Sequence, residues 1–185
     1  MRKLILINGD IATGKSRLAL LTKERFSLPL YTKDEFKEKY AEEYPYSTYE
    51  ESHKLSIMAM DTLFDHFLAH AKKGEDVILE ANFHEEHLLR LEKIVKEYGY
   101  QVLDIDLVGS PKVLYERYID RMNDGNRHPV HKVNDLKDYE YFERYTLSRR
   151  DEKRIGIVIS VNADTFDYQK DESLYQRIEK FLKGE

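Results

Sequence analysis

The chain predicts an α/β fold in which a parallel sheet of five strands is covered on both faces by helices. Three observations carry that expectation. Five short apolar runs alternate with longer segments of helical periodicity, the pattern that buries a parallel sheet between two helical layers. The first run opens directly into Gly9-Asp10-Ile11-Ala12-Thr13-Gly14-Lys15-Ser16, a complete G-x-x-x-x-G-K-S loop joining a strand to a helix. The 185 residues suffice for one substantial core and are few for two ordinary domains. With no internal repeat, low-complexity tract or long linker, residues 1–185 read as a single domain.

Leu4 to Ile7 reads as a buried central strand, and Lys15 to Thr22 begins the helix after the loop, with Leu18, Ala19 and Leu21 available for packing. Leu28 to Tyr31 is the second strand. A polar helical stretch follows Thr32 through Asp34, Phe36 and Lys37 until Pro45 breaks it. A long helix from about Tyr49 to Lys72 places Leu55, Met58, Ala59, Thr62, Leu63, His66 and Phe67 on an inward stripe, and Gly74 ends it. Its Met residues and His66 read as packing groups.

Val77-Ile78-Leu79 forms the third strand, tipped by Glu80-Ala81-Asn82. Residues 84–98 carry Leu88, Leu91, Ile94 and Val95 at helical spacing before Gly99. Gln101 to Val108 is the fourth strand, with Asp104 and Asp106 on one face. A helix then runs from Pro111 to Met122 into the turn Asn123-Asp124-Gly125-Asn126. Residues 137–150 suggest another helix, Ile155 to Val161 the fifth strand, and Ser173 to Leu182 a terminal helix.

Composition narrows the function. The net charge of -5, from 30 Lys and Arg against 35 Asp and Glu, gives no support for extensive nucleic-acid binding. The chain has no Cys, which removes a disulfide framework, a thiol nucleophile and a thiolate zinc site. The N-terminal apolar run is too short for a signal-peptide core or a membrane span, so a cytoplasmic location without membrane attachment is expected. The sequence leaves monomer and homodimer equally open.

The chemistry begins at the loop. Residues Gly9, Asp10, Ile11, Ala12, Thr13, Gly14, Lys15 and Ser16 form the expected ATP site, where backbone N–H groups and the helix N-terminus face the phosphates. Lys15 is expected at the β- and γ-phosphates, and the Ser16 hydroxyl on Mg²⁺. Asp34, just beyond the second strand, can enter the same crevice and orient an attacking hydroxyl; a helix-capping role is the plainer alternative. Lys37, three positions later, can hold an anionic acceptor. At the third strand's tip, Glu80 can orient Mg²⁺-bound water and Asn82 can bond the acceptor or brace the loop.

A third group follows the fourth strand. Arg117 and Arg121 stand one helical turn apart, and Arg127 lies beyond the Gly-containing bend, which suits a cationic lid over residues 121–136. A solvated charged helix is the competing reading. Arg144, Arg149 and Arg150 can add charge beside the lid, although a charged surface is simpler. His128 and His131 are weaker candidates for catalysis. Asn162-Ala163-Asp164 can approach the adenine or ribose.

Taken together, these motifs resemble the P-loop kinases related to polynucleotide 5′-kinase, zeta toxin and chloramphenicol phosphotransferase, over about residues 2–165. The resemblance implies a three-layer P-loop NTPase domain with a short helical lid. It also implies that Asp34 activates the acceptor hydroxyl, that Glu80-Ala81-Asn82 matches a D-x-T/N segment, and that Arg127 is the lid arginine, with Arg121 a second contact. Lys37 stands where polynucleotide kinases commonly carry Arg, and Glu80 where Asp is commoner. The expected activity is Mg²⁺-ATP-dependent transfer of the γ-phosphoryl group to a small hydroxyl-bearing or nucleotide-like molecule. A polynucleotide 5′-hydroxyl kinase and a nucleotide-controlled, toxin-like switch protein are the alternatives.

Overall fold

A computed structural model describes residues 2–133 and 138–185. Strands β1 (Arg2–Gly9), β2 (Leu30–Thr32), β3 (Val77–Glu80), β4 (Tyr100–Val108) and β5 (Ile157–Asn162) form one sheet in the order β2-β3-β1-β4-β5, all pairs parallel. The described helices are α1 (Lys15–Phe26), α2 (Lys33–Ala41), α3 (Tyr49–Lys73), α4 (Glu85–Tyr98), α5 (Pro111–Asn123), α6 (Tyr139–Ser148) and α7 (Glu172–Lys183). This is the expected P-loop kinase architecture.

The central strand explains the two cores. A strand covered on both faces needs apolar side chains at successive positions, and Leu4, Ile5, Leu6 and Ile7 are all fully buried. Leu4 and Leu6 join the core with α3 and α4, while Ile5 and Ile7 join the one with α1 and α7. Helix ends follow local chemistry. Thr48 and Glu51 make a reciprocal capping box at the start of α3, and Gly74 (φ 74°) closes its other end in the left-handed region.

Register assembles the functional edge. Glu80 lies beside Ile7 of β1 and beside Thr32 of β2, so three strand ends converge where the chain switches from one side of β1 to the other. Thr32 also caps α2 by accepting from the Glu35 amide at 3.3 Å. Strand β2 starts at Leu30, two residues beyond the expected start, and Pro29 contributes its carbonyl to Ile78 N at 2.9 Å.

Three other expectations are corrected. On α3, Met60 and Phe64 are core residues, while Met58, Thr62 and His66 are only half-buried. The helix is gripped by the sheet and by its flanking helices, so its buried arc is broader than one stripe. The fifth strand starts at Ile157, because Gly156 turns the chain with φ 72° and a Cβ there would sit 2.4 Å from the Val102 carbonyl oxygen. The helix expected over 137–150 is α6 followed by a 3₁₀ turn at Arg149–Asp151. Residue 137 and part of the expected lid, 134–136, lie outside the described residues. No described helix is long and apolar enough to cross a membrane.

Gly9 carries the tightest backbone contact at the sheet's edge. Its φ is 125°, and an added Cβ would lie 2.1 Å from the Leu107 carbonyl oxygen of β4. Gly9→Ala is expected to lower unfolding stability by about 1–3 kcal/mol through backbone strain alone. Urea denaturation of the purified variant measures the loss; wild-type stability would disprove the constraint.

Candidate functional site

The loop after β1 is shaped by backbone bonds before any ligand arrives. Asp10 N donates to the Leu107 carbonyl at 2.8 Å, and Thr13 Oγ1 donates to the Asp10 carbonyl at 2.9 Å. Ala12 (φ 62°) and Gly14 (φ 86°) turn the chain in the left-handed region. Helix α1 begins at Gly14 without a side-chain cap, an N-terminus suited to complete itself with an anion. Lys15 is buried and folds back on the loop, donating to the carbonyls of Gly9 at 3.2 Å and Asp10 at 2.6 Å.

Next to it, Ser16 Oγ donates to Glu80 Oε2 at 3.3 Å. Glu80 is buried, and burial with the nearby Asp34 charge pushes its pKa up to about 7, against the pull of Lys15 and the Ser16 bond. Burial also lowers Lys15 to about 8, despite the Glu80 charge that supports it. The pair therefore shares a poorly solvated space. Two oxygen donors side by side fit a hard cation such as Mg²⁺, which keeps several water and phosphate ligands. No group of three or more His, Cys, Asp or Glu suited to a metal occurs among the described residues. In particular, Asp104 and Asp106 share a face without forming such a centre: Asp106 pairs with Arg154 at 3.1 Å, and Asp104 is fully buried.

Asp34 stands across the same cavity, of about 620 Å³. Its carboxylate is 3.8 Å from Lys33 Nζ. Burial disfavours its charge, but Lys33, His131, Lys15 and Lys37 together hold its pKa below the usual carboxylate value. Lys37 is buried at the cavity wall, donating to Ser52 Oγ at 2.9 Å, and Ser52 donates onward to the Val130 carbonyl at 3.2 Å. Burial and Lys33 lower Lys37 to about 8.

The cavity gathers Ile11, Ala12, Thr13, Gly14, Lys15, Ser16, Asp34, Lys37, Glu80, Asn82, Arg121 and Arg127. Two expected ATP-binding residues lie outside its lining. Gly9 is pinned beneath the loop, and the buried Asp10 carboxylate accepts from Gly109 N at 3.2 Å and Arg150 at 2.7 Å. Asp10 thus shapes the loop through its side chain. Arg127 is half-buried with Nε lacking a hydrogen-bond partner among the described residues, and burial followed by Arg121 lowers its pKa.

Several side chains at the site were not singled out for these positions. His131 faces the cavity and bonds Glu38 through Nε2 at 2.8 Å. Arg117 turns from the expected lid and donates to the carbonyls of Ala163 and Asp164, its guanidinium 4.1 Å from the Phe166 ring centroid. Arg149 is not a surface charge. It is buried under the loop and donates to the carbonyls of Gly9 at 3.3 Å and Phe83 at 2.8 Å. Asn8 makes a parallel tie, its Oδ1 accepting from Gly9 N at 2.8 Å and Phe83 N at 3.0 Å. In the sequence Arg149 stands out only as part of the Arg149-Arg150 pair at the end of the expected 137–150 helix, which signals charge and not burial.

Comparison with known proteins identifies the family and the fold. A family model described as an AAA domain matches residues 5–137, and the chain belongs to that family. A candidate kinase from Chloroflexus aurantiacus j-10-fl superposes with a TM-score of 0.85 and 27% identity, covering 97% of each chain. Shikimate kinase from Bacteroides thetaiotaomicron has a TM-score of 0.62 at 15% identity over 98% of each chain. The Deinococcus radiodurans tunicamycin resistance protein has a TM-score of 0.62 at 18% identity over 96% of each chain. These last two share the fold. The chain matches no curated protein. The resemblance to P-loop kinases is thereby established, and the fold is kinase-like.

Two variants test the construction of the site. Arg149→Ala strips two buried carbonyls of a charged donor and is expected to cost about 1.5–3 kcal/mol in a urea titration; an unchanged midpoint would show the contacts to be idle. Glu80→Gln should act through pH. The folded-state pKa of Glu80 is raised, so the folded protein binds the extra proton and its stability falls as pH rises from about 4.5 towards 7. The variant escapes that loss, so its thermal midpoint should gain on wild type at pH 8 relative to pH 4. A difference independent of pH would refute the raised pKa.

Proposed function

We propose that this protein transfers the γ-phosphoryl group of Mg²⁺-ATP to a hydroxyl of a small molecule. The observation that carries the reading is the meeting in one cavity of the phosphate loop, the Ser16 and Glu80 pair, and an Asp34 carboxylate surrounded by cations. The kinase-like fold and family support it.

The residues divide the work by charge. The loop amides and the α1 N-terminus take the phosphates, and Lys15 exchanges its carbonyl partners for the β- and γ-phosphate oxygens. Ser16 and Glu80 would hold Mg²⁺, Glu80 directly or through water; the ion neutralises phosphate charge when bound. Asp34 remains ionised at neutral pH and accepts the acceptor's hydroxyl proton while aligning its oxygen with the γ-phosphorus. As the new oxygen–phosphorus bond forms, the bond from the γ-phosphorus to the β,γ-bridging oxygen breaks and ADP departs. Arg127, with Arg121 beside it, is proposed to close as a lid over the transferring group and limit water access.

Lys37 and Asn82 would contact the acceptor. Lys37 is buried and already bonded to Ser52, which supports a compact acceptor over a polynucleotide end that needs a bidentate cation.

Asp34→Asn is expected to reduce phosphoryl transfer to a confirmed acceptor by about 10²–10⁴-fold while Mg²⁺-ATP affinity changes little. Labelled-ATP transfer and equilibrium nucleotide binding, measured on the folded variant, check the split; an unimpaired rate removes Asp34 from the mechanism. For Arg127→Lys and Arg127→Ala, turnover should fall while the thermal midpoint holds, because Lys cannot reproduce directed guanidinium contacts. A loss confined to stability would make Arg127 a packing residue instead.

A further inference from the structure

Past the transfer site the crevice widens into a second chamber of about 860 Å³, bounded by α3, α4 and α6. Lys33, Lys37 and Asn82 line both spaces and mark the passage between them. Beyond those two lysines, every Lys, Arg, Asp or Glu among the described lining residues is an acid: Glu85, Glu86 and Glu152. Glu152 is the best anchored, accepting from His84 Nδ1 at 3.0 Å and from Glu85 N at 3.1 Å, with its side chain 21% exposed.

Two imidazoles are bound into the wall around that carboxylate. His84 donates to Glu152 through Nδ1, and its Nε2 lies 3.3 Å from the Tyr145 hydroxyl. His87 Nδ1 accepts from the His84 amide at 3.1 Å, and burial draws the His87 pKa down to about 4. A phosphate or carboxylate in the chamber would therefore meet three carboxylates once past the lysines. Apolar surface gathers at the same place. Tyr49, Ile57 and Tyr141 are 49%, 52% and 40% exposed, and all three line the chamber. Tyr49 stacks on His53 at 5.8 Å and Tyr141 has the Arg144 guanidinium 5.9 Å from its centroid, so the apolar surface they leave exposed, beside convergent polar groups, suits a ligand that is itself ring-shaped and hydroxylated.

We propose that the acceptor is an uncharged, ring-bearing polyhydroxyl compound, seated against Tyr49 and Tyr141 with its reactive hydroxyl directed past Lys37 and Asn82 to Asp34. This assignment rests on the kinase reading above. Lys37 contacts the reactive hydroxyl end of the acceptor at the passage, while the chamber behind it selects against anionic acceptors by like-charge repulsion.

The test uses matched compounds with the same free hydroxyl: nucleosides against their 3′-monophosphates, and methyl glycosides against the corresponding uronides. Their dissociation constants are measured by equilibrium dialysis on the full chain with Mg²⁺ and a non-hydrolysable ATP analogue. At least one uncharged member is expected to bind about tenfold or more tightly than its anionic partner. Tyr141→Ala should weaken that compound about tenfold, with ATP-analogue affinity and the thermal midpoint held. Equal or tighter binding of the anionic members, or no binding by any uncharged ring compound, overturns the assignment. Full affinity in Tyr141→Ala does so as well. The kinase reading fails separately: binding of an uncharged member without labelled phosphate transfer would refute catalysis and support the chamber's selectivity.

Discussion

The close approach of Gly9 to the Leu107 carbonyl is the contact on which the rest of the site depends. At that point β1 must leave the sheet and reverse, and only a residue without a Cβ can do so against β4. The bond from Asp10 N to the same carbonyl then sets the direction of the loop. Asn8 and Arg149 secure it from below by tying Gly9 to Phe83, just past β3. Through these ties the phosphate loop and the Glu80 strand tip hold a common frame, and Ser16 meets Glu80 as a consequence.

That frame brings charges into a space where water screens them poorly. Burial raises Glu80 and lowers Lys15, so each acquires much of its remaining ionisation from the other. Such a pair is a weak source of stability. Its value lies in readiness, since an incoming phosphate and cation replace interactions that the free protein makes only with itself. Asp34 differs because its surrounding cations outweigh burial and keep it charged. Two carboxylates in one cavity are thus driven in opposite directions by their neighbours. That separation suits one for a metal ligand and the other for an acceptor base.

The chamber behind the transfer site follows a different physical rule. Cations are concentrated around Asp34 and the loop, whereas the chamber walls beyond Lys33 and Lys37 carry rings, hydroxyls and acids. Helix α3 contributes to both halves of this design: its inner arc fills the sheet core through Leu63, Phe64 and Phe67, and its N-terminal part lends Tyr49, Ser52 and Ile57 to the chamber wall. The core and the chamber wall consequently draw on different lengths of one helix.

The sequence by itself determined the parallel sheet, the phosphate loop and the order of the elements. Each depends on short-range rules: apolar runs too short for helices, a Gly spacing that brackets a tight loop, and helix stops such as Gly74 and Gly99. It also indicated Asp34 and Glu80, because polar residues at the ends of buried strands stand out from their surroundings. Only the tertiary structure decided that Asp10 turns away from the cavity towards Arg150, that Arg117 lies on Phe166, and that Arg149 runs beneath the loop. Arg149 lies 140 positions from Gly9, and nothing in its neighbours' spacing announces the contact. Such pairings follow from how the strands are ordered in the sheet and where the connecting segments cross it, and local periodicity does not encode either.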